Sequence, residues 1–176
     1  MRYFIGCLAL FFIYSACSST QETIQQPQET EPVVTETTVP TWYNDGVHFS
    51  SDSLALHGYS LASATDSSKA VELSTQNSLE YLRFEIDRTA EEIREDLADS
   101  PDGSTYGSPS FIIQLRNTVS DLPLTSASFT RKHDVSDQGI HYSYARASLT
   151  KSTLYNLFED RLQDARFLEE LSSLPL

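Results

Sequence analysis

Apolar residues fall along this chain in distinct patterns: one unbroken run, a long apolar-poor gap, stretches alternating with period two, and stretches recurring every three or four residues. The unbroken run, Tyr3 to Tyr14, carries no charge and follows Met1-Arg2. It is shorter than the roughly 18 residues a membrane-spanning helix needs, and it reads as the apolar region of an export signal. The gap, residues 18–41, is rich in Thr, Gln, Glu and Pro, with Glu22, Glu29, Glu31 and Glu36 and no Lys or Arg. Such a stretch has too little apolar surface to offset the entropy of ordering, which predicts a disordered tether reaching on the order of 25 Å.

Large apolar residues return at Trp42-Tyr43. The organisation expected is therefore a signal over 1–16, a modified cysteine and linker over 17–41, and one domain over 42–176. Leu54 to Ala62 predicts a strand, with Leu54, Leu56, Gly58, Ser60 and Ala62 on one face and Tyr59 and Leu61 opposite. Asp66, Ser67 or Ser68 can cap a helix running to about Leu97. Its apolar stripe is Leu79, Leu82, Ile86, Ala90, Ile93 and Leu97, while Glu80, Arg83, Asp87, Glu91, Arg94 and Glu95 form an opposite face expected in solvent.

Pro101, Gly103 and Gly107 break that helix, and the spacing of Ile112, Leu115 and Val119 predicts a shorter one over Ser110–Leu122. Leu124–His133 and Ile140–Thr150 predict two strands around an Asp137-Gln138-Gly139 turn. In the second, Ile140, Tyr142 and Tyr144 share one face and Ala145, Ala147 and Leu149 the other. From Ser152, Leu154, Leu157, Phe158, Leu162, Ala165, Leu168 and Leu171 make a final amphipathic helix. The sum is an α+β fold, a sheet of about three strands packed against two longer helices and one shorter helix.

The chain has 176 residues and a formal charge of −13, which becomes −14 when Arg2 leaves with the signal. That charge repels nucleic-acid phosphates and anionic headgroups, so no nucleic-acid partner is expected. The two cysteines are Cys7, inside the apolar run, and Cys17, just after it, so the mature chain has no second thiol for an internal disulfide. A domain of this size folds without one.

Tyr14-Ser15-Ala16-Cys17 resembles the bacterial lipobox, in which small residues precede a cysteine that is diacylated before cleavage. Tyr14 stands where an aliphatic residue is usual. The alternative is a plain secretory signal cut at Ser15-Ala16. The lipobox reading makes Cys17 the lipid-attachment site, and several acyl chains give stable membrane anchoring at about 0.8 kcal/mol per buried methylene. Ser18-Ser19, rather than Asp, after the cysteine favours the outer membrane by the same resemblance.

Pro40-Thr41-Trp42-Tyr43, then Gly58-Tyr59-Ser60 at the end of a strand, then Asp66 and a long helix resemble the start of the LPP20-type bacterial lipoproteins and the related N-terminal domain of a flagellar assembly protein. Tyr142 to Lys151 resembles that family's closing strand. The resemblance spans about residues 42–151. It implies a small α+β domain of the cell envelope, without catalytic activity, acting through protein contacts; no cofactor is expected, and a homo-oligomer is one form those contacts can take.

Candidate chemistry is sparse. His48, His57, His133 and His141 lack the spacing of helical metal ligands, though His133 and His141 flank the hairpin turn and can approach each other with Asp134. No metal site is expected. Gly58-Tyr59-Ser60-Leu61-Ala62 lacks the last glycine of a nucleophile elbow, and no glycine-rich phosphate loop occurs. A hydrolase needs an acid, base and nucleophile within hydrogen-bond reach, and no motif supplies them. Trp42, Tyr142 and Tyr144 are the candidate interaction residues: core if their face is covered, a contact surface if it is exposed. The expected function is a non-enzymatic, lipid-anchored envelope protein presenting an acidic domain to protein partners. A lipid-anchored small-ligand or glycan module is the alternative, and a deep aromatic pocket would favour it.

Overall fold

The protein was analysed as a computed structural model that describes residues 38–173. The expected signal, Cys17 and most of the linker lie outside those residues. In chain order the elements are β1 (Phe49–Ser51), β2 (Ala55–Ala64), α1 (Ser67–Ala98), α2 (Pro109–Ser120), β3 (Ser128–Val135), β4 (His141–Thr150), α3 (Lys151–Leu162) and α4 (Ala165–Ser173). Among the described residues the strands form one antiparallel sheet in the order β1-β2-β4-β3. The α+β expectation holds, with one more strand and one more helix than the sequence pattern predicts.

Helix α1 starts where the sequence places its cap. The Asp66 carboxylate accepts the Lys69 backbone N–H at 2.8 Å, satisfying a donor that a helix N-terminus leaves free. The helix then serves two environments. Its first half buries Ala70, Ser74 and Ser78 against the sheet, and its second half buries Leu82, Ile86, Ala90, Ile93 and Leu97. The apolar stripe in the sequence marks only the second half.

The first half lies close to the sheet because β2 offers Gly58 there. A Cβ on Gly58 would stand inside the van der Waals shells of the Ser78 carbonyl oxygen and the Leu82 nitrogen, and 3.0 Å from Leu82 Cα. These are backbone atoms and have no rotamer to change. One turn of α1 before the contact, the Ser60 hydroxyl donates to the Ser74 carbonyl at 2.6 Å, and the Ser74 and Ser143 hydroxyls meet at 2.8 Å. All three serines are buried.

Two residues assigned to the solvated face of α1 have other roles. Arg94 is only 8% exposed, donating to the Tyr106 carbonyl at 3.3 Å and to Glu91 at 2.8 Å. Arg83 reaches α2 and donates to the carbonyls of Val119 and Ser120, both at 2.6 Å, and of Leu122 at 3.3 Å. It thereby places a cation where α2's last carbonyls have no partner inside their own helix. A polar stripe at helical spacing does not reveal that a second helix end lies within reach of one of its arginines.

Helix α2 is capped by Ser108 and buries Phe111, Leu115, Thr118 and Val119. The second predicted strand begins later than expected: Leu124–Ser126 is a short 3-10 turn, and pairing starts at Ser128. The β3–β4 hairpin turns as predicted, with Gly139 at a φ of 75°, a conformation glycine adopts without steric cost. The final helix is two helices. Gln163 takes a left-handed φ of 53°, and Asp164 then caps α4 by accepting the Phe167 N–H at 2.9 Å and the Tyr106 hydroxyl at 3.1 Å. This bend brings the Phe158 and Phe167 rings to 5.3 Å, joining α3 and α4 in one core with the second half of α1. Thr150, rather than Ser152, caps α3, which leaves β4 without a loop.

Two substitutions test this packing by urea denaturation. Gly58→Ala forces strand and helix apart and is expected to cost about 3 kcal/mol, the upper part of the range for overpacked cores. Arg83→Ala removes the guanidinium from three carbonyls at the end of α2, of which Val119 keeps the Leu122 N–H, and is expected to cost about 1–2 kcal/mol.

Candidate functional site

Pairing fixes which side chains share the sheet face turned away from α1. Across that face run Ser50 of β1; His57, Tyr59, Leu61 and Ser63 of β2; Tyr142, Tyr144, Arg146 and Ser148 of β4; and Ser128, Thr130, Lys132 and Asp134 of β3. Residues 38–48 form a strap over it. Thr38 N–H donates to the Asp134 carboxylate at 3.1 Å, and Lys132 donates to the Thr38 carbonyl. Tyr43 packs edge-on against Tyr144 at 5.1 Å, and the His48 carbonyl accepts the Tyr59 N–H at 2.8 Å beside β1. Pro40 is buried. Residues 38–41, assigned to the linker from composition, thus belong to the fold.

The strap decides the fate of the three candidate interaction residues. All three lie on this side of the sheet. Tyr144 is 3% exposed and sealed under Tyr43, and burial pushes the phenols of both tyrosines above their ordinary pKa. Trp42 is half-buried, edge-on to Tyr43 at 6.4 Å, with the Arg146 guanidinium 5.7 Å from its ring centroid. Tyr142 is half-buried between Ser63 and Asp134. Of the three, Trp42 and Tyr142 retain surface that a partner can touch.

Beside the strap the sheet assembles a set that no sequence motif announced. Asp52, His57 and Ser148 come from the turn after β1, from β2 and from β4. His57 Nε2 lies 3.0 Å from Asp52 Oδ2, and His57 Nδ1 lies 2.8 Å from Ser148 Oγ. A carboxylate only accepts, so in the neutral ring Nε2 carries the proton to Asp52 and Nδ1 accepts the Ser148 hydroxyl. The other Asp52 oxygen accepts the N–H groups of Leu54 and Ala55 at 2.8 and 2.9 Å. The His57 bond, and then these two, hold the Asp52 carboxyl down at about 2, although its side chain is 57% exposed. His57 and Ser148 face each other across the register and lie far apart in sequence, which is why no spacing could expose them.

The connectivity resembles a nucleophile, base and orienting acid, but a second requirement for acyl transfer is unmet. Ser148 sits in the central strand, between β2 and β3, so the backbone N–H groups around it are taken up by the sheet ladders. Stabilising a developing oxyanion needs free donors aimed at it. What the triplet does is fasten the β1–β2 turn to the middle of the sheet.

The histidine pair expected at the hairpin forms. The His133 and His141 rings stack at 5.1 Å, with Nε2 and Nδ1 3.1 Å apart, and Ser67 Oγ is 3.3 Å from His133 Nε2. Asp134 is on the opposite face, beside Lys132 and Thr38, so it does not join them. Among the described residues no three His, Cys, Asp or Glu side chains are placed to hold a metal ion. A cavity of about 230 Å³ lies between the strap and α1 beside β2, lined by Tyr43, Asp45, His48, Leu61, Asn77 and Tyr81, the His48 and Tyr81 rings stacked at 4.5 Å. It is smaller than the roughly 300–1,000 Å³ of small-molecule sites.

Because the folded Asp52 carboxyl lies below its unfolded value, its contribution to stability is present above about pH 4. It disappears as pH falls through about 2. An NMR titration should place the Asp52 midpoint near 2, and His57→Ala should return it toward the ordinary carboxylate value. Asp52→Asn should remove this part of the acid dependence. No protein-family model, curated protein or solved structure matches the chain.

Proposed function

We propose that this protein is a non-enzymatic lipoprotein of the bacterial cell envelope, held in the membrane by lipid on Cys17 and presenting its acidic α+β domain to other proteins. The observation that carries the proposal is the order Met1-Arg2, the uncharged run Tyr3 to Tyr14, and Ser15-Ala16-Cys17, followed by a stretch without Lys or Arg. Multiple acylation would make the anchoring effectively permanent. The resemblance to LPP20-type lipoproteins points the same way, and Ser18-Ser19 favours the outer membrane.

The geometry adds support of a different kind. The Asp52-His57-Ser148 set has its serine in a central strand whose backbone groups are taken up by the sheet ladders, and the strap cavity is small, about 230 Å³. Trp42 and Tyr142, both half-buried, leave contact surface for a protein partner. Recognition of a small ligand or glycan is the second reading, favoured by the stacked His48 and Tyr81 wall of that cavity. It would be supported by ligand-induced shifts at Asn77 and Tyr81.

The anchor is tested by the intact mass of protein extracted from membranes of the native host, wild type against Cys17→Ala. The expected result is a chain beginning at Cys17 with the mass of its acyl groups, absent in the variant. An unacylated, soluble wild-type chain would sink the anchored reading.

A further inference from the structure

The sheet has two edges, and they are finished differently. At one, β1 covers only Leu56 to Gly58 of β2, and the His48 carbonyl takes the next outward N–H, that of Tyr59. A short edge strand continued by a strap leaves little for another chain to pair with. At the other, β3 pairs with β4 through all of its eight residues, and among the described elements β4 is its only extensive neighbour.

The register shows which backbone groups face outward. Ser136 N–H donates to the Ile140 carbonyl at 2.9 Å, in line with the Val135–His141 pairing. Hydrogen-bonded and non-bonded pairs alternate in an antiparallel ladder, so Ser128, Thr130, Lys132 and Asp134 bond to β4. The N–H and C=O groups of Phe129, Arg131 and His133 therefore point away from the sheet. This is a pairing edge long enough for a strand.

Its charge is opposite to that of the protein. Arg131 flanks the edge on one face and Lys132 on the other, in a chain of net charge −13. Asp134 is turned to Lys132 and the Thr38 N–H. Arg131 bonds only a hydroxyl, Thr75 Oγ1 at 3.1 Å, and lies over the Phe129 ring. Screening acts over about 8 Å at physiological salt, so an incoming strand meets these local cations rather than the distant acidic surface.

The same charges discriminate against a second copy. If two β3 strands paired antiparallel about Arg131 or about Lys132, that residue would face its own copy, and like charges directly opposite destabilise a sheet. Pairing about Thr130 or about His133 avoids this but overlaps only five residues of each copy, 128–132 or 131–135.

We propose that the outer edge of β3 is a docking site for an acidic extended segment of a partner protein, which adds to the sheet as a fifth strand. This rests on the reading of the protein as one that acts through protein contacts. Backbone pairing would supply affinity, and acidic side chains set against Arg131 and Lys132 would supply selection.

The probe is an eight-residue peptide alternating glutamate with valine or threonine, the length of β3, compared with its lysine counterpart. Backbone hydrogen exchange is followed by NMR on the full-length protein in detergent. The acidic peptide should slow exchange at Phe129, Arg131 and His133 about tenfold or more, leaving β2 and β4 amides unchanged. Arg131→Glu should weaken its binding about fivefold, the upper end for one exposed charge pair. His133→Pro, which removes an outward N–H, should abolish it, with unchanged β4 exchange confirming the fold.

No protection, or equal protection by the lysine peptide, overturns the proposal. Protection that rises with protein concentration alone assigns the edge to a second copy and overturns it equally. The acyl mass at Cys17 is independent of all these outcomes. A failed peptide with an intact anchor therefore rejects the β3 site alone, and a bound peptide without an anchor rejects only the membrane reading.

Discussion

The structure depends on how closely α1 approaches β2. At Gly58 the helix and strand backbones meet with no side chain between them. Separation of the layers by a normal side chain would break the hydroxyl contacts from Ser74 to Ser60 and Ser143, which hold only because each group lies within hydrogen-bond reach of the next. Buried hydroxyls are tolerable when paired and costly when stranded, so this seam functions as a unit. Its small residues also let one long helix serve two partners. The first turns lie flat on β2 and β4, and the remainder runs on to receive Phe158, Phe167 and Leu168 from the C-terminal helices.

That placement divides the sheet unequally. α1 lies on β2 and β4, and the strap returns over the opposite face through Tyr43 and Trp42. The middle of β4 is thus covered on both sides, which explains why Tyr144 is buried while its alternation in sequence suggests a half-exposed strand. β3 receives neither layer in full. Its residues alternate between exposed and partly buried, and two of its cations stand at the rim. Backbone edges left open in this way are usually blunted by charge, and Arg131 and Lys132 fit that device.

Much of the fold is legible in the sequence because local rules and tertiary packing agree there. Asp66 caps the long helix, Gly139 turns the hairpin, and the spacing of Leu115 and Val119 makes α2 helical. The sequence pattern fails where long-range contacts override it. β1 is three residues long and exists only because β2 offers it an edge. The bend at Gln163 carries no glycine or proline; it follows from Asp164 capping α4 and from the need to bring Phe167 onto Phe158. Arg83 and Arg94 sit on a polar stripe, yet each reaches carbonyls beyond its own helix, which periodicity cannot show. Trp42 and Tyr144 were visible as aromatics, but whether they are surface or core is settled by a strap that composition assigned to a linker.

The Asp52, His57 and Ser148 set illustrates a related limit. Three residues of the right types can meet in any sheet whose register places a histidine opposite a serine, with a turn carboxylate within reach of the ring. Chemistry needs more than that meeting. A nucleophile at a strand-to-helix elbow has free N–H groups beside it, whereas one in a central strand has given them to its neighbours. The same ladders that hold Ser148 at 2.8 Å from His57 thus remove the donors an oxyanion would require. On β3 the logic reverses, because there the ladder has only one partner strand. An edge strand keeps half of its backbone groups unpaired, so in this fold the capacity for new contacts lies at the rim of the sheet and not at its polar centre.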